Sequence, residues 1–254
     1  MRTRLWLQAA LELLLGLYLL ETLITGEISF YIAERFNWLA VLAGVILLVM
    51  GSVSVITLLT EAPADPQLAP RTVTLNANLM GHTHQPARWL MLVVLAIPLA
   101  LGILVPARPL GASAIGQSGI TTSLTVAAGD TNTFSIAPEQ RNVLDWVRAF
   151  SATTNPEEFS GQPADLIGFV YRDARFDEAS EFMVARFTVS CCTADAIALG
   201  VIVNTENARE WSQDAWVRVR GRFQTRQFDG KVTPVLVAES IEPTAMPDRP
   251  YLFP

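Results

Sequence analysis

Residues 184–203 read VARFTVSCCTADAIALGVIV, and this stretch decides how the C-terminal half of the chain folds. Two apolar, β-branched runs flank a short polar segment that holds both cysteines of the chain, Cys191 and Cys192, followed by Asp195. The pattern predicts a strand, a turn and a second strand. Because neighbouring side chains of a strand point to opposite faces, at least one thiol is expected near the surface.

The residues on either side of this pair predict three further strands. The five predicted strands, each bounded by turn residues, cover 165–171, 181–190, 197–204, 215–223 and 232–241. A polar link at 205–213 is expected to be helical, and residues 138–150 begin with proline and predict an amphipathic helix. Five strands with a small helix between the third and fourth are typical of an OB-type β-barrel, whose closure removes free sheet edges.

The first 106 residues are expected to form a membrane domain. Its three apolar segments predict transmembrane helices at about 5–24, 37–60 and 89–105, since about twenty helical residues cross the ~30 Å core of a bilayer. The second segment contains no charge, and Pro98 is expected to kink the third. A chain with 51% hydrophobic and only 17% charged residues agrees with this assignment.

The basic residues predict how these helices are oriented. Those that precede the first and third spans are Arg2, Arg4, Arg71 and Arg88. The positive-inside rule makes both segments cytoplasmic, and three spans place the chain ends on opposite sides. We therefore expect a cytoplasmic N-terminus, a linker of small residues at 107–133 and an extracytoplasmic domain at 134–254.

Three interpretations fit Cys191, Cys192 and Asp195. The first interpretation is a metal site, because thiolates are ligands for zinc or copper(I) and a carboxylate can complete a zinc shell. The C-terminal half contains no histidine, so a further ligand would come from water, a second copy or a partner. The second interpretation is a reversible vicinal disulfide. The third is one core cysteine with an incidental neighbour.

Two further pairs of polar residues are candidates for function. His82 and His84 lie in the loop before the third span, where they can share a metal ion only if the loop turns; two solvent-exposed histidines are the alternative. Glu12 and Glu21 fall in the first span. An acid within a membrane is costly and usually faces a partner helix or a transport pathway, although Glu21 can also reach the interface.

Composition and motifs exclude several function classes. Residues 106–254 carry 13 basic and 18 acidic side chains, so this domain is not expected to bind nucleic acid, which requires an excess of positive charge. The arginine row within 218–226 has no interleaved aromatic platforms. No phosphate-binding loop, Ser-His-Asp arrangement or paired-carboxylate motif is present. No catalytic residue is therefore predicted, and the chain is not expected to be an enzyme.

Several of these segments resemble one family of bacterial membrane proteins, the YcgQ-like permease subunits. The similar stretches are YIAERFNWL at 31–39, the histidine loop at 81–84, 138–147, GFVY at 168–171, ARFTVSCCTADA at 185–196, WVRVRG at 216–221 and PYLFP at 250–254. The Cys-Cys-x-Ala-Asp-Ala motif is the most specific of them. The resemblance covers nearly the whole chain and implies an accessory subunit of a separately encoded, multi-span permease in the cytoplasmic membrane, with a link to divalent metals such as zinc.

The sequence thus favours an accessory permease subunit whose extracytoplasmic domain binds or senses a metal ion through the vicinal cysteines. The alternative is an envelope redox or structural protein that uses a reversible vicinal disulfide and has no role in transport.

Overall fold

The computed structural model describes residues 2–60, 88–115, 120–122 and 135–253. The chain divides into two compact units. The first comprises Met1–Ile28 and Glu34–Ala107, and the second comprises Ser29–Ala33 and Arg108–Pro254. Helices build the first unit and a five-stranded sheet dominates the second, which confirms the predicted α+β class.

Three α-helices lie in the described part of the N-terminal unit. They are α1 (Arg2–Ile24), α2 (Asn37–Thr60) and α3 (Arg88–Leu104). By length and composition, α1 and α2 are apolar enough to cross a bilayer, which confirms the apolar segments predicted at 5–24 and 37–60. The apolar part of α3, Leu92–Leu104, is shorter, and Pro98 lies inside it.

Glycines allow α1 and α2 to approach each other closely. A Cβ atom added at Gly51 would lie 2.8 Å from Cγ of Leu13, and one added at Gly16 would lie 2.9 Å from Cγ of Leu48. Small residues at such crossings are typical of helices that pack within lipid. Most apolar side chains of α2 are nevertheless exposed, a distribution that suits a hydrocarbon environment better than water.

The C-terminal unit contains the five predicted strands. They are β1 (Pro163–Tyr171), β2 (Glu181–Thr188), β3 (Ile197–Asn204), β4 (Trp216–Phe228) and β5 (Lys231–Pro243). They pair in the order β1-β2-β3-β5-β4, and β4 pairs back with β1, so the sheet closes into a barrel. All pairs are antiparallel except β3–β5, which is parallel and short.

Strands β4 and β5 are longer than the predicted segments 215–223 and 232–241. Beyond Phe223, β4 stays paired with β5 through residues that are exposed or partly buried, as far as the buried Phe228. Asp229 and Gly230 then adopt positive φ angles of 50° and 73°, as a tight hairpin turn requires. The polar side chains after Phe223 therefore mark an exposed face of the strand rather than its end.

The helix predicted at 138–150 begins later, and α4 covers Val143–Ala152. Asn142 caps it by accepting the backbone N–H groups of Leu144 and Asp145, and the Asp145 side chain accepts the N–H of Asn142 in return. This capping box fixes the start of the helix. The proline instead opens a separate 3-10 turn, Pro138–Gln140, and the link predicted as helical at 205–213 contains only a 3-10 turn.

Part of the predicted linker at 107–133 packs against the sheet. Ala112 and Ile120 are buried with side chains of β2 and β3, and Thr121 pairs with Leu199 of β3. A composition of small residues predicts a tether, but these few apolar side chains are enough to fill a surface groove. The rest of the predicted linker, 116–119 and 123–133, lies outside the described residues.

Candidate functional site

The two cysteines lie in the turn between β2 and β3. Strand β2 ends at Thr188, and the 3-10 helix Thr193–Asp195 leads into β3. Cys191 is exposed and Cys192 is partly buried, which agrees with the alternation predicted from the sequence. The turn therefore presents its sulfur atoms at the surface of the C-terminal unit.

Asp195 organises this turn by accepting backbone hydrogen bonds. Its Oδ1 accepts the N–H of Ser190 at 2.7 Å, and its Oδ2 accepts the N–H groups of Cys191 at 2.6 Å and Cys192 at 3.3 Å. The Cys191 thiol and these N–H groups lower the pKa of Asp195 to about 2, because they stabilise the ionised form. The carboxylate is thus a fixed negative charge that closes the turn around both cysteines.

The two thiols are in contact and are not joined by a disulfide bond in this structure. Their Sγ atoms are 3.7 Å apart. The Cys191 thiol donates to Sγ of Cys192, and its interactions with the Asp195 carboxylate and with Cys192 raise the pKa of Cys191 to about 11. Cys191 is therefore a neutral thiol at pH 7, and an electrophile or a metal ion must displace its proton to use the sulfur.

A second segment, distant in sequence, pairs with this turn. Ile32 forms an antiparallel bridge with Cys192, the N–H of Ala33 donates to the carbonyl of Cys191 at 3.0 Å, and the N–H of Thr193 donates to the carbonyl of Tyr31 at 2.9 Å. These residues belong to Ser29–Ala33, which the chain supplies from between α1 and α2. Sequence analysis missed this contact because it is made by the main chain, which leaves no side-chain pattern.

The turn brings together three side chains that bind metals in other proteins. One ligand atom from each of Cys191, Cys192 and Asp195 lies within 4.8 Å of the others. Among the described residues, this is the one such group of three or more histidine, cysteine or acidic residues. The predicted metal-site residues of the C-terminal domain are thus close enough to share an ion.

The same sequence matches family models along nearly its full length. Residues 7–121 match the DUF1980 N-terminal domain, and residues 121–254 match the DUF1980 C-terminal domain. The chain belongs to the DUF1980 family. The boundary between the two DUF1980 domains falls at Thr121, within the short segment that pairs with β3.

Two curated proteins are similar to this DUF1980 chain. A Streptococcus mutans protein named "Putative two-component membrane permease complex subunit" is 23% identical over 276 residues, which cover 94% of each chain. UPF0703 protein YcgQ of Bacillus subtilis is 23% identical over 112 residues, 43% of this chain and 39% of that protein. The resemblance to YcgQ-like proteins, based on the cysteine motif and its flanking segments, is confirmed.

Two further pairs of residues of the DUF1980 chain were predicted as site residues, His82 with His84 and Glu12 with Glu21. His82 and His84 lie outside the described residues. Glu12 and Glu21 belong to α1 in the helical unit, where Glu21 is exposed and Glu12 is only 4% exposed. Oε1 of Glu12 accepts a hydrogen bond from Gln8 at 2.9 Å, whereas its buried Oε2 has no partner among the described residues.

Replacement of Glu12 by leucine is expected to stabilise the DUF1980 helical unit. A buried acceptor without a partner costs about 1–3 kcal/mol, and leucine removes that cost while filling similar space. Thermal unfolding of the protein in mild detergent should show a higher melting temperature for Glu12→Leu. Glu21→Leu, at an exposed site on the same helix, is the control and should change little. A lower melting temperature for Glu12→Leu would mean that Oε2 has a partner in the folded protein.

Arg218, Arg220 and Arg222 of the arginine row pair with carboxylates. Asp165 on β1 binds Arg218 at 2.6 Å and Arg220 at 3.0 Å, and Arg222 lies 3.4 Å from Glu239. The bond from Arg218, with that from Arg220, lowers the pKa of Asp165. These arginines therefore form a charge-balanced surface along β1, β4 and β5.

Proposed function

We propose that this chain is the accessory subunit of a membrane permease complex and that its C-terminal domain binds a thiophilic divalent ion, zinc above all. Cys191 and Cys192 would supply sulfur ligands, and Asp195 would hold the turn and offer an oxygen. The observation that carries the proposal is the convergence of these three ligand atoms within 4.8 Å on an accessible turn.

The separation of the sulfur atoms supports zinc. Two thiolates bound to one tetrahedral zinc ion, with bonds of about 2.3 Å, are about 3.8 Å apart. The Sγ atoms of Cys191 and Cys192 are in non-bonded contact at 3.7 Å, so both could bind one ion with little rearrangement. A disulfide requires about 2.05 Å between the sulfurs, so the vicinal bond of the redox alternative would require the turn to change shape.

The Asp195 carboxylate retains room for a metal ion. Its Oδ1 accepts the N–H of Ser190, and a carboxylate oxygen can accept about two bonds. Two sulfurs and one oxygen leave a fourth position of a tetrahedral ion for water or for a group of the partner. An open position is typical of zinc sites that exchange ligands, whereas structural sites are closed by four protein ligands. Capture and transfer of the ion therefore suit this site better than a structural role.

The membrane arrangement is also part of the proposal. The exposed apolar surfaces of α1 and α2 and the name of the Streptococcus relative support a membrane subunit. We infer three spans, formed by α1, α2 and α3, with the N-terminus in the cytoplasm and an OB-type domain outside the cell. The separately encoded partner would be the multi-span permease itself. In this arrangement the chain carries the ion-binding domain and is not an enzyme.

Zinc titration of the full-length protein in detergent tests the binding proposal. One zinc ion per chain is expected for the wild type, with binding lost in Cys191→Ser and in Cys192→Ser. Asp177→Asn is a matched control, because Asp177 accepts bonds from Ala179 and Ser180 in another turn of the same unit. Equal zinc affinity in wild type and serine variants would refute the site. Oxidation to a vicinal disulfide with no zinc affinity would support the redox alternative instead.

Thiol labelling tests the orientation, because the two cysteines of the chain are adjacent in one exposed turn. A membrane-impermeant maleimide added to intact cells is expected to label Cys191 when the C-terminal domain lies outside. The Cys191→Ser, Cys192→Ser double variant provides the background. Labelling that requires cell lysis would place the domain in the cytoplasm and remove the proposed capture role.

A further inference from the structure

Arg186 of β2 is a buried cation that donates to main-chain carbonyls. It is only 7% exposed. Its Nε donates to the carbonyl of Pro250 at 2.8 Å, its Nη2 to that of Arg249 at 2.8 Å, and its Nη1 to that of Ile167 at 3.3 Å. The guanidinium also lies over the ring of Trp216, 5.2 Å from its centroid.

No carboxylate among the described residues forms an ion pair with Arg186. Burial lowers its pKa to about 10, so the side chain remains charged at neutral pH. A buried charge is costly unless hydrogen bonds compensate for it. Two of the three compensating carbonyls belong to residues 249 and 250. The hydrogen bonds that stabilise the buried charge therefore also hold that segment in place.

The segment held by Arg186 also pairs with the end of β2, next to the cysteine turn. The N–H of Leu252 donates to the carbonyl of Phe187 at 2.8 Å, and the N–H of Val189 donates to the carbonyl of Leu252 at 3.0 Å. These bonds form one parallel bridge between Leu252 and Thr188, the residue that also makes the last β2 pair with β3. Residues 249–252 therefore fix the backbone from which Ser190 and Cys191 emerge.

Tyr251 links this segment to Ser29–Ala33. It is only 3% exposed, and its hydroxyl donates to the carbonyl of Phe30 at 3.2 Å while accepting the N–H of Leu110 at 2.8 Å. The next residues, Tyr31 and Ala33, bond to Thr193 and Cys191. Two main-chain segments, 249–252 and 29–33, thus hold the cysteine turn. The hydrogen bond from the Tyr251 hydroxyl to the Phe30 carbonyl links these two segments.

We propose that Arg186 is a positioning residue for the cysteine pair: by anchoring residues 249–252 it holds the backbone of the turn in the shape that places both sulfurs and Asp195 around one ion. The expected loss of zinc affinity when Arg186 is replaced rests on the proposed function. The expected loss of order in the turn does not depend on the proposed function.

Hydrogen exchange and zinc titration on the full-length protein test this role together. Arg186→Met is expected to raise amide exchange at least tenfold in residues 189–196 and 251–253, while residues 217–223 of β4 keep their protection. Zinc affinity should fall about 10- to 100-fold, the range seen when groups that orient metal ligands are removed. Arg186→Lys, which keeps the charge but not the planar fork of donors, should restore only part of the affinity.

Arg218→Met is the matched control, since Arg218 lies on the outer face of the same barrel and its ion pair with Asp165 is partly exposed. It should leave exchange at 189–196 and zinc affinity unchanged. If Arg186→Met does not fold, Tyr251→Phe tests the same path by removing only the hydroxyl, and it should raise exchange in 29–33 and 190–193.

The outcomes separate this inference from the proposed function. Unchanged exchange at 189–196 in a folded Arg186→Met protein, or the same change in Arg218→Met, would overturn the positioning role. Absence of zinc binding in the wild type would refute the proposed function, and the exchange data would still decide whether Arg186 orders the turn.

Discussion

Zinc is expected to raise the melting temperature of the full-length protein by about 10 °C, and neither Cys191→Ser nor Cys192→Ser is expected to show that shift. A ligand at 100 times its dissociation constant stabilises the folded state by about 2.7 kcal/mol. For a domain of this size each kcal/mol corresponds to roughly 4 °C. Thermal unfolding followed by the circular dichroism of the sheet measures the shift, and a chelator should reverse it.

The serine variants should unfold near the temperature of the metal-free wild type. Cys191 is exposed, Cys192 is only partly buried, and neither belongs to a core cluster, so their loss removes few packing contacts. A zinc-dependent shift that persisted in both variants would locate the ion elsewhere. His82→Ala and His84→Ala would then test whether the histidine loop binds it.

Trp146→Ala is expected to lower the melting temperature of the C-terminal unit by about 10–20 °C. The Trp146 ring is fully buried, with its centroid 4.5 Å from that of Phe223 on β4 and 6.2 Å from that of Phe159. It anchors α4 against the sheet. Truncation of a buried tryptophan to alanine costs about 3–5 kcal/mol, because packing contacts are lost and a cavity remains.

Trp146→Phe is the control for this substitution. It keeps a buried aromatic ring and removes the indole N–H, which has no acceptor among the described residues. The phenylalanine variant should therefore retain most of the stability in the same unfolding measurement. Equal losses for alanine and phenylalanine would mean that the size of the ring does not account for the stability that Trp146 contributes.

Strands β2 and β3 are buried almost throughout and were predictable as apolar, β-branched runs, whereas β4 was predictable because it buries alternate side chains. In β4, Val217, Val219 and Phe223 are fully buried and the arginines between them face outward, as the sequence pattern indicates. The start of α4 was misplaced because Pro138 is a strong local signal for a helix start. The capping box formed by Asn142 and Asp145 determines the true start.

The cysteine turn was predictable in content but not in its surroundings. The spacing of Cys191, Cys192 and Asp195 indicated a turn that can gather three ligands, and the structure places them within 4.8 Å. The two segments that hold the turn, 29–33 and 249–252, could not be inferred, because their contacts with it are main-chain hydrogen bonds between residues far apart in sequence. Arg186 was missed for a similar reason, since its partners are carbonyl groups that any residue type supplies.

The distance in sequence between residues 29–33 and 249–252 has a consequence for biosynthesis. Because the cysteine turn is enclosed by two segments that lie more than 200 positions apart in the sequence, it cannot reach its final form until residues 249–252 have been synthesised. Until then its thiols and backbone amides would stay accessible to oxidants. A fragment that starts after residue 33 would keep this immature form permanently, so studies of the isolated domain need the 29–33 peptide restored.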